Sequence, residues 1–248
     1  MFTETVFAND KEPLVRLTEI QKSYELGKVR MPALRNVNLE IASGEFTALT
    51  GPSGSGKTTL LNLIGCIDKP TEGRIVIDGE DVTLAPLHRL ARIRAGRLGF
   101  IFQNFNLLPV LTAFENVEYP LMFSGLSRAE RHARTTRWLL AVGLGKHFGH
   151  KPDQLSGGQR QRVAIARAMV TQPALVLADE PTASLDSHTG GEILDLLAQI
   201  NRETGATFLF ATHDPKVMER ARRRIALRDG EIEREEPAAA LERSLARC

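Results

Sequence analysis

The sequence predicts an α/β fold in which a sheet of parallel strands is interrupted by an inserted helical subdomain. Short strand-like runs alternate with helical segments, a pattern typical of parallel strands joined by helices. From about Thr112 to Val170 the strand patterns become scarce and helical patterns continue, which indicates the insertion. The predicted strands are Val15–Ile20, Val37–Ile41, Phe46–Thr50, Arg74–Ile77, Leu98–Phe102, Leu175–Ala178, Thr207–Ala211 and Arg224–Leu227.

Local patterns also predict helix starts and a turn. Ser127-Arg128-Ala129-Glu130 fits a capping box that begins a helix running through Leu140. Near the C-terminus, Asp229-Gly230 predicts a hairpin turn into Ile232. The charged, alanine-rich tail from Glu235 is expected either to form a short peripheral helix or to be disordered.

Composition is that of an ordinary soluble globular protein. The chain has 248 residues, of which 42% are hydrophobic and 25% charged, with a net charge of +2. A net charge this small gives the protein no overall electrostatic attraction for nucleic acid. No apolar run approaches the roughly 18 residues that span a bilayer, and the first residues, Met1 to Pro13, do not resemble a secretion signal. Cys66 and Cys248 lack metal-ligand spacing, so we expect reduced thiols in a cytosolic protein.

Arginines concentrate in three local clusters. They are interpreted either as solvated helix faces or as a surface turned toward anionic lipid headgroups or a partner. The clusters are Arg89, Arg92, Arg94 and Arg97; Arg128, Arg131, Arg134 and Arg137; and Arg220, Arg222, Arg223 and Arg224.

A glycine-rich loop follows the predicted strand Phe46–Thr50 and precedes an apolar helical run. The loop reads Gly51-Pro52-Ser53-Gly54-Ser55-Gly56-Lys57-Thr58. Its glycines allow backbone N–H groups to turn toward phosphate oxygens, and the helix that follows directs its positive end at the same anion. Lys57 can then reach the β- and γ-phosphates, and the Thr58 hydroxyl can ligate Mg²⁺. The loop predicts a nucleoside triphosphate site.

Two carboxylates end a later buried strand. Leu175–Ala178 is followed by Asp179 and Glu180, at the strand end where open α/β sheets bind ligands. Asp179 is expected to hold Mg²⁺, directly or through water, and Glu180 to polarise the attacking water. Without the phosphate loop, the same pair would equally suit a charged strand end that caps the next helix.

The pentapeptide Leu155-Ser156-Gly157-Gly158-Gln159 predicts a second capped helix start. Ser156 and Gln159 fit a capping box, and the helix is expected to run through Val170. The amides of Gly157 and Gly158 would form another anion site, far in sequence from the first. The alternative is that the pentapeptide only caps the helix and binds no anion.

The order of these motifs resembles the nucleotide-binding subunit of an ATP-binding cassette transporter, over about Val15 to Glu233. The resemblance implies a phosphate-loop NTPase core with an N-terminal antiparallel β subdomain and an inserted α-helical subdomain. It implies an ATPase domain over residues 14–233, with the insertion at about 104–170 and tails at 1–13 and 234–248.

The resemblance also implies roles for matching positions, with ATP and Mg²⁺ as cofactors. Tyr24 would stack on adenine, Gln103 would touch Mg²⁺ and water, and Ser184–Asp186 would link two ATP sites. Catalytic roles are implied for Glu180, His213 and Gln103, and Mg²⁺ contacts for Thr58, Gln103 and Asp179. Residues expected to contact ATP are Tyr24, Gly51, Pro52, Ser53, Gly54, Ser55, Gly56, Lys57, Thr58, Thr59, Ser156, Gly157, Gly158, Gln159 and Asp186.

The family resemblance implies partners as well. The subunit would form a homodimer in which the pentapeptide of one copy closes over ATP held by the phosphate loop of the other, an isologous arrangement. It would lie in the cytoplasm, peripheral on the inner face of the cell membrane through integral-membrane permease subunits. Phe105, Leu107, Leu108, Leu111 and Phe114 are expected either to form a docking surface for the permease or to pack within the helical subdomain.

Several segments resemble the lipoprotein-releasing and macrolide-export branch of the family. They include Tyr24–Leu34, Gly65–Asp68, Asn106–Pro109 and Glu115–Val117. An amino-acid-type importer subunit remains open, because importers share several of these segments. A soluble cassette ATPase acting on nucleic acid or ribosomes and a phosphoryl-transfer kinase are less favoured, and no direct nucleic-acid binding is expected.

Overall fold

In a computed structural model, the structure describes residues 12–27 and 29–237. The described strands form two sheets, one antiparallel and one mainly parallel. The strands are β1 (Val15–Leu26), β2 (Val29–Ile41), β3 (Phe46–Thr50), β4 (Glu72–Ile77), β5 (Glu80–Asp81), β6 (Leu98–Ile101), β7 (Leu175–Asp179), β8 (Thr207–Ala211), β9 (Arg223–Arg228) and β10 (Glu231–Pro237).

The antiparallel sheet has the order β2-β1-β4-β5. Val15 on β1 pairs with Ile41 on one side and with Ile77 on the other. This confirms the antiparallel β subdomain that the family resemblance implies. The sequence pattern located only the buried parts of β1 and β2, because the hairpin that continues both strands is largely exposed and its residues do not alternate.

The second sheet has the order β10-β9-β3-β8-β7-β6. β9, β3, β8, β7 and β6 are parallel, and β10 pairs antiparallel with β9 at the edge. The central strands β3, β7 and β8 are almost wholly buried, which explains their continuous apolar sequences. Their C-terminal ends lie side by side, so loops that follow them meet at one edge of the sheet.

Helices cover both faces of the parallel sheet. They are α1 (Lys57–Ile64), α2 (Leu87–Arg97), α3 (Ala113–Glu118), α4 (Arg128–Ala141), α5 (Gly157–Met169), α6 (Ser187–Thr204) and α7 (Pro215–Arg220). One buried apolar cluster joins α1 and α2 to the two sheets, and a second joins α3, α4, α5 and α6 to the other face. The capping boxes at Ser127 and Ser156 are confirmed, with both reciprocal hydrogen bonds present. Within residues 12–27 and 29–237, no helix has the length and apolar character that crossing a bilayer requires.

The structure bears on two further expectations, the docking residues and the C-terminal tail. Of the five residues considered for docking, Phe105 is only 8% exposed and Leu107 and Phe114 pack against the core of the insertion, as the packing alternative expects, whereas Leu108 is 40% exposed. Glu235 to Pro237 continue β10 instead of starting a helix or a disordered tail, so the boundary at residue 233 falls within a strand. The rest of the tail, residues 238–248, lies outside the described residues.

Six of the twelve clustered arginines have acidic partners among the described residues. Arg223 illustrates this, since it lies 3.2 Å from Glu45 and 2.6 Å from Glu235. This pairing favours solvated, ion-paired faces over a lipid-facing surface. The arginines with acidic partners are Arg89, Arg97, Arg131, Arg220, Arg223 and Arg224.

Candidate active site

The phosphate loop connects β3 to α1 along a path that needs glycine at two points. Gly51 has φ 143°, and a Cβ there would lie 2.1 Å from the Leu227 carbonyl oxygen. Gly56 has φ 104°, and its Cβ would lie 2.7 Å from the Ala33 carbonyl oxygen. Only glycine fits such a close approach of backbone to backbone at positive φ. The loop is therefore clamped between the β9–β10 turn and β2.

Replacing Gly56 with Ala is expected to unfold or displace this loop. The new methyl group would collide with backbone at a φ that alanine rarely adopts, costing about 1–3 kcal/mol in backbone strain before any relief of the collision. We expect a lower midpoint of thermal unfolding and a weaker affinity for ATP, measured by nucleotide titration. Gly54→Ala is the matched control for the collision, since Gly54 also has positive φ but has open space where its Cβ would lie.

Lys57 begins α1 and folds back over the loop. Its Nζ donates hydrogen bonds to the carbonyl oxygens of Gly51 at 2.8 Å and Pro52 at 2.9 Å. The ammonium is thus held at the mouth of the loop with one further N–H available. Ser55 Oγ is buried and has no hydrogen-bond partner among the described residues. Both groups can serve an incoming phosphate.

Thr58 and Asp179 place a hydroxyl and a carboxylate, both possible metal ligands, side by side at the edge of the sheet. Thr58 Oγ1 lies 3.4 Å from Asp179 Oδ1 and 3.3 Å from Oδ2. Burial raises the pKa of Asp179, the Thr58 hydrogen bond opposes that rise, and the charge of Glu180 adds to it. A nearby cation would relieve the cost of keeping this carboxylate ionised.

Glu180 follows directly, in the left-handed backbone region at φ 46°. Its N–H donates to the Ala211 carbonyl oxygen at 2.9 Å, which ties the end of β7 to the end of β8. The side chain is fixed from two directions: Thr212 Oγ1 donates to Oε2 at 3.1 Å, and His213 Nδ1 lies 2.5 Å from Oε1. Glu180 is therefore a positioned carboxylate with a histidine beside it.

These residues surround one cavity of about 600 Å³. Gln103, at the end of β6, lines it as well, and its carbonyl oxygen accepts a hydrogen bond from Ser184 Oγ at 3.1 Å. The structure brings together all the predicted catalytic and magnesium-contacting residues here. The lining residues are Ala33, Ser53, Gly54, Gly56, Lys57, Thr58, Thr59, Gln103, Asp179, Glu180 and His213. Sequence reasoning missed Ala33 and Thr212, because neither residue type suggests a site.

Tyr24 and the pentapeptide lie outside that cavity lining. Tyr24 is 39% exposed and donates to Asp68 Oδ2 at 3.0 Å. Ser156 is exposed, accepts a hydrogen bond from Gln159 N at 3.3 Å and has its own N–H bound to Gln159 Oε1. Of the described residues that line the cavity, none belongs to the pentapeptide. Within one subunit the two predicted anion sites are therefore separate.

The pentapeptide glycines also have a packing role. A Cβ on Gly158 would lie 2.5 Å from Thr189 Cγ2, and one on Gly157 would lie 3.3 Å from Leu185 Cδ2. The Asp186 carboxylate, next to Leu185 in the chain, is already engaged in capping α6. It accepts hydrogen bonds from the N–H groups of His188 and Thr189 at 3.0 Å. The start of α5 is thus pressed against the start of α6.

Comparison with known proteins gives a consistent result. Residues 34–183 match the family model described as ABC transporter. The chain is 50% identical to MJ0796, an uncharacterised ABC transporter ATP-binding protein of Methanocaldococcus jannaschii, over 90% of this chain and 97% of the relative. The chain is 48% identical to the macrolide export ATP-binding/permease protein MacB of Marinobacter nauticus, in a match that covers 89% of this chain. It spans only 34% of that relative.

A solved structure agrees with the sequence comparisons. It is a dimeric, post-hydrolysis state of the cassette MJ0796 bound to ADP and Pi, and it superposes with a TM-score of 0.84 at 49% identity. The match covers 90% of this chain and 98% of that one. The chain therefore belongs to the ABC transporter family and is an ATP-binding, ATP-hydrolysing cassette of that family.

Proposed function

We propose that this cassette is the ATPase subunit of an export- or extraction-type transporter, and that Glu180 is its general base. The observation that carries the proposal is the Glu180 carboxylate, held between Thr212 and His213 on the wall of the cavity that Lys57 and Asp179 also line. A carboxylate in this position can orient a water for attack on the γ-phosphate. Lys57 and the loop amides would hold the phosphates in line.

We infer that Mg²⁺ accompanies the nucleotide. The Thr58 hydroxyl, the Asp179 carboxylate and the Gln103 amide supply hard oxygen donors, the kind that Mg²⁺ prefers. Among the described residues no group of three or more His, Cys, Asp or Glu could hold a metal ion by itself. That suits an ion held partly by substrate phosphates. When bound, Mg²⁺ would neutralise phosphate charge; the protein residues would orient it.

We infer that two copies form the complete site. The phosphate loop and the pentapeptide are separate within one subunit, yet both present groups suited to an anion. A two-fold related copy would bring the exposed Ser156 of each subunit to the phosphate loop of the other. The dimeric solved structures of MJ0796 support this arrangement by similarity.

We infer that the cassette sits at the inner face of the cell membrane through a permease that docks beside the Gln103 loop. A groove of about 560 Å³ lies between α2 and a 3₁₀ turn at Tyr119–Phe123. Tyr119, Met122 and Phe123 on this turn are 47%, 56% and 73% exposed. Exposed aromatic and methionine side chains in a cluster are typical of interaction sites. The similarity to MacB supports the export branch.

A charged side chain in this groove is expected to prevent the permease from stimulating ATP hydrolysis by the cassette. Phe123→Asp should abolish the permease-dependent part of ATP hydrolysis while leaving the basal rate within about 2-fold, because surface substitutions away from a site cost little stability. The measurement is ATP hydrolysis with and without the permease that copurifies with the cassette, reconstituted in vesicles. Leu84→Asp is the control, since Leu84 is 88% exposed but does not line the groove. Loss of stimulation in both variants would argue against docking here.

The function itself is tested by isolating the cassette from its native membrane together with any permease that copurifies with it. We expect Mg²⁺-dependent phosphate release from ATP that rises in the presence of the permease and its cargo. A permease with a large domain between its first two membrane helices would support export or extraction. Tight, salt-sensitive binding to nucleic acid without permease association would overturn the proposal.

A further inference from the structure

Tyr24 is held in place by a partly buried ion pair whose two residues lie outside the lining of the phosphate cavity. Lys22 Nζ lies 2.7 Å from Asp68 Oδ1, and the two side chains are 11% and 32% exposed. The other carboxylate oxygen, Oδ2, accepts the hydrogen bond from the Tyr24 hydroxyl. We call these three residues the base platform. Lys22 and Asp68 are not among the residues expected to contact ATP or Mg²⁺.

The ion pair fixes which face of the Tyr24 ring is free. Lys22 and Tyr24 are two residues apart on β1, and the Lys22 ammonium lies over the ring, 4.8 Å from its centroid. A cation over a ring face is attracted by the ring electrons. Because that face is occupied, a flat ligand can stack only on the opposite face. Lys22 Nζ is itself immobilised by a second hydrogen bond, to the Lys69 carbonyl oxygen at 2.7 Å.

Asp68 keeps its negative charge at this partly buried position. Burial acts to raise the pKa of Asp68, but hydrogen bonds from Lys22, the Lys69 backbone and Tyr24 outweigh it and hold the pKa below its usual value. A carboxylate with this many donors is a fixed acceptor. Loss of Lys22 would remove the cation over the ring and one of the donors that hold Asp68, so the carboxylate that accepts the Tyr24 hydrogen bond would be held less firmly.

The base platform and the phosphate loop are tied to opposite ends of one short helix. α1 begins at Lys57 in the phosphate loop and ends at Ile64. The loop beyond it carries Asp68, whose N–H donates to the Asn62 carbonyl oxygen at 3.2 Å. Eight helical residues span roughly 12 Å. The distance between the platform and the phosphate site is therefore set by rigid structure.

We propose that Lys22 and Asp68 are positioning residues that orient Tyr24 for a purine base, so that the site prefers ATP over pyrimidine nucleotides. The inference rests on the proposed contact between Tyr24 and the base of ATP. A purine has a larger flat surface than a pyrimidine, so it gains more from a correctly oriented ring. A ring freed from its restraints loses that advantage, while the phosphate contacts stay intact.

The test compares KM and kcat for ATP and UTP in the wild type and in Lys22→Met, a substitution that keeps an unbranched stem and removes the charge. Stacking of a base on an aromatic ring strengthens binding by about 5-fold or more. We expect KM for ATP to rise by about 5-fold, with kcat and the KM for UTP changed by less than about 2-fold. Asp68→Asn should shift KM in the same direction, and Lys22→Arg should retain the preference for ATP. Lys69→Met is the matched control, because the Lys69 ammonium, among the described residues, bonds only to the Ala85 carbonyl oxygen.

Tyr24→Ala separates this inference from the proposed base contact. If Tyr24→Ala leaves the ratio of the two KM values unchanged, the base contact is wrong. If Tyr24→Ala lowers the preference for ATP but Lys22→Met and Asp68→Asn do not, the base contact stands and the positioning role is overturned. An equal rise of KM for ATP and UTP would also overturn it, since that indicates general damage to the site. In a Tyr24→Ala background, Lys22→Met should have no further effect on the ratio.

Discussion

Replacing Glu180 with Gln is expected to reduce ATP hydrolysis by about 1,000-fold, the usual range for losing a general base. Gln has the same shape and can still accept the hydrogen bond that Thr212 donates to this side chain. It cannot take a proton from water, and its neutral amide replaces the carboxylate oxygen that lies 2.5 Å from His213 Nδ1. The change therefore removes the chemistry while leaving the cavity intact.

The same variant should bind ATP normally and accumulate as an ATP-bound dimer. In the proposed dimer, closure would depend on phosphate contacts made by other residues, and reopening would depend on hydrolysis. The measurements are phosphate release and the sedimentation of the variant with ATP and with ADP. Glu203→Gln is the matched control, because Glu203 is exposed on α6 and its carboxylate, within the described part of the chain, accepts a hydrogen bond only from Gln199 in its own helix. A Glu180→Gln variant that hydrolyses ATP at the wild-type rate would contradict the catalytic assignment.

The parts of the site that lie on regular elements could be predicted from the sequence. β3, the glycine loop and α1 follow one another without interruption, so apolar periodicity and glycine spacing place Lys57 and Thr58 correctly. Asp179 and Glu180 end a continuous apolar strand in the same way. Because parallel strands present their C-terminal ends at one edge, their meeting with the loop follows from topology.

Other features depend on tertiary contacts that leave no local pattern. Asp68 looks like a loop residue, and only the fold shows that it meets Lys22 and Tyr24 from β1. Phe105 illustrates the opposite error: an aromatic residue in a loop suggests an exposed contact, yet it is buried. Its carbonyl oxygen accepts a hydrogen bond from Arg167 on α5 at 2.8 Å, which holds this loop inward.

Replacing Ser156 with Arg is expected to block hydrolysis while leaving ATP binding by the separate subunit within about 2-fold, because Ser156 does not line its own phosphate cavity. The residue is exposed at the start of α5. In the proposed dimer it faces the phosphates held by the other copy. An arginine side chain would fill the space that those phosphates need to approach the Gly157 and Gly158 amides.

The start of α5 cannot retreat to make room. Gly158 is packed so closely on Thr189 that even one added methyl group would lie 2.5 Å from it. The new side chain must therefore project outward, into the face that the partner would close upon. We expect no ATP-dependent dimer on sedimentation, and hydrolysis lowered by at least about 100-fold, since catalysis requires the closed geometry.

Loss of the helix cap has to be separated from loss of the composite site. Ser156 accepts a hydrogen bond from Gln159 N, and removing an N-cap of this kind costs about 1 kcal/mol. Ser127 caps α4 through an identical capping box and is also exposed. Ser127→Arg therefore carries the same added charge, bulk and cap loss, and should lower stability similarly without affecting dimer closure. If the two variants hydrolyse ATP equally well, the pentapeptide acts as a cap alone, and each subunit must then complete its phosphate site from its own residues.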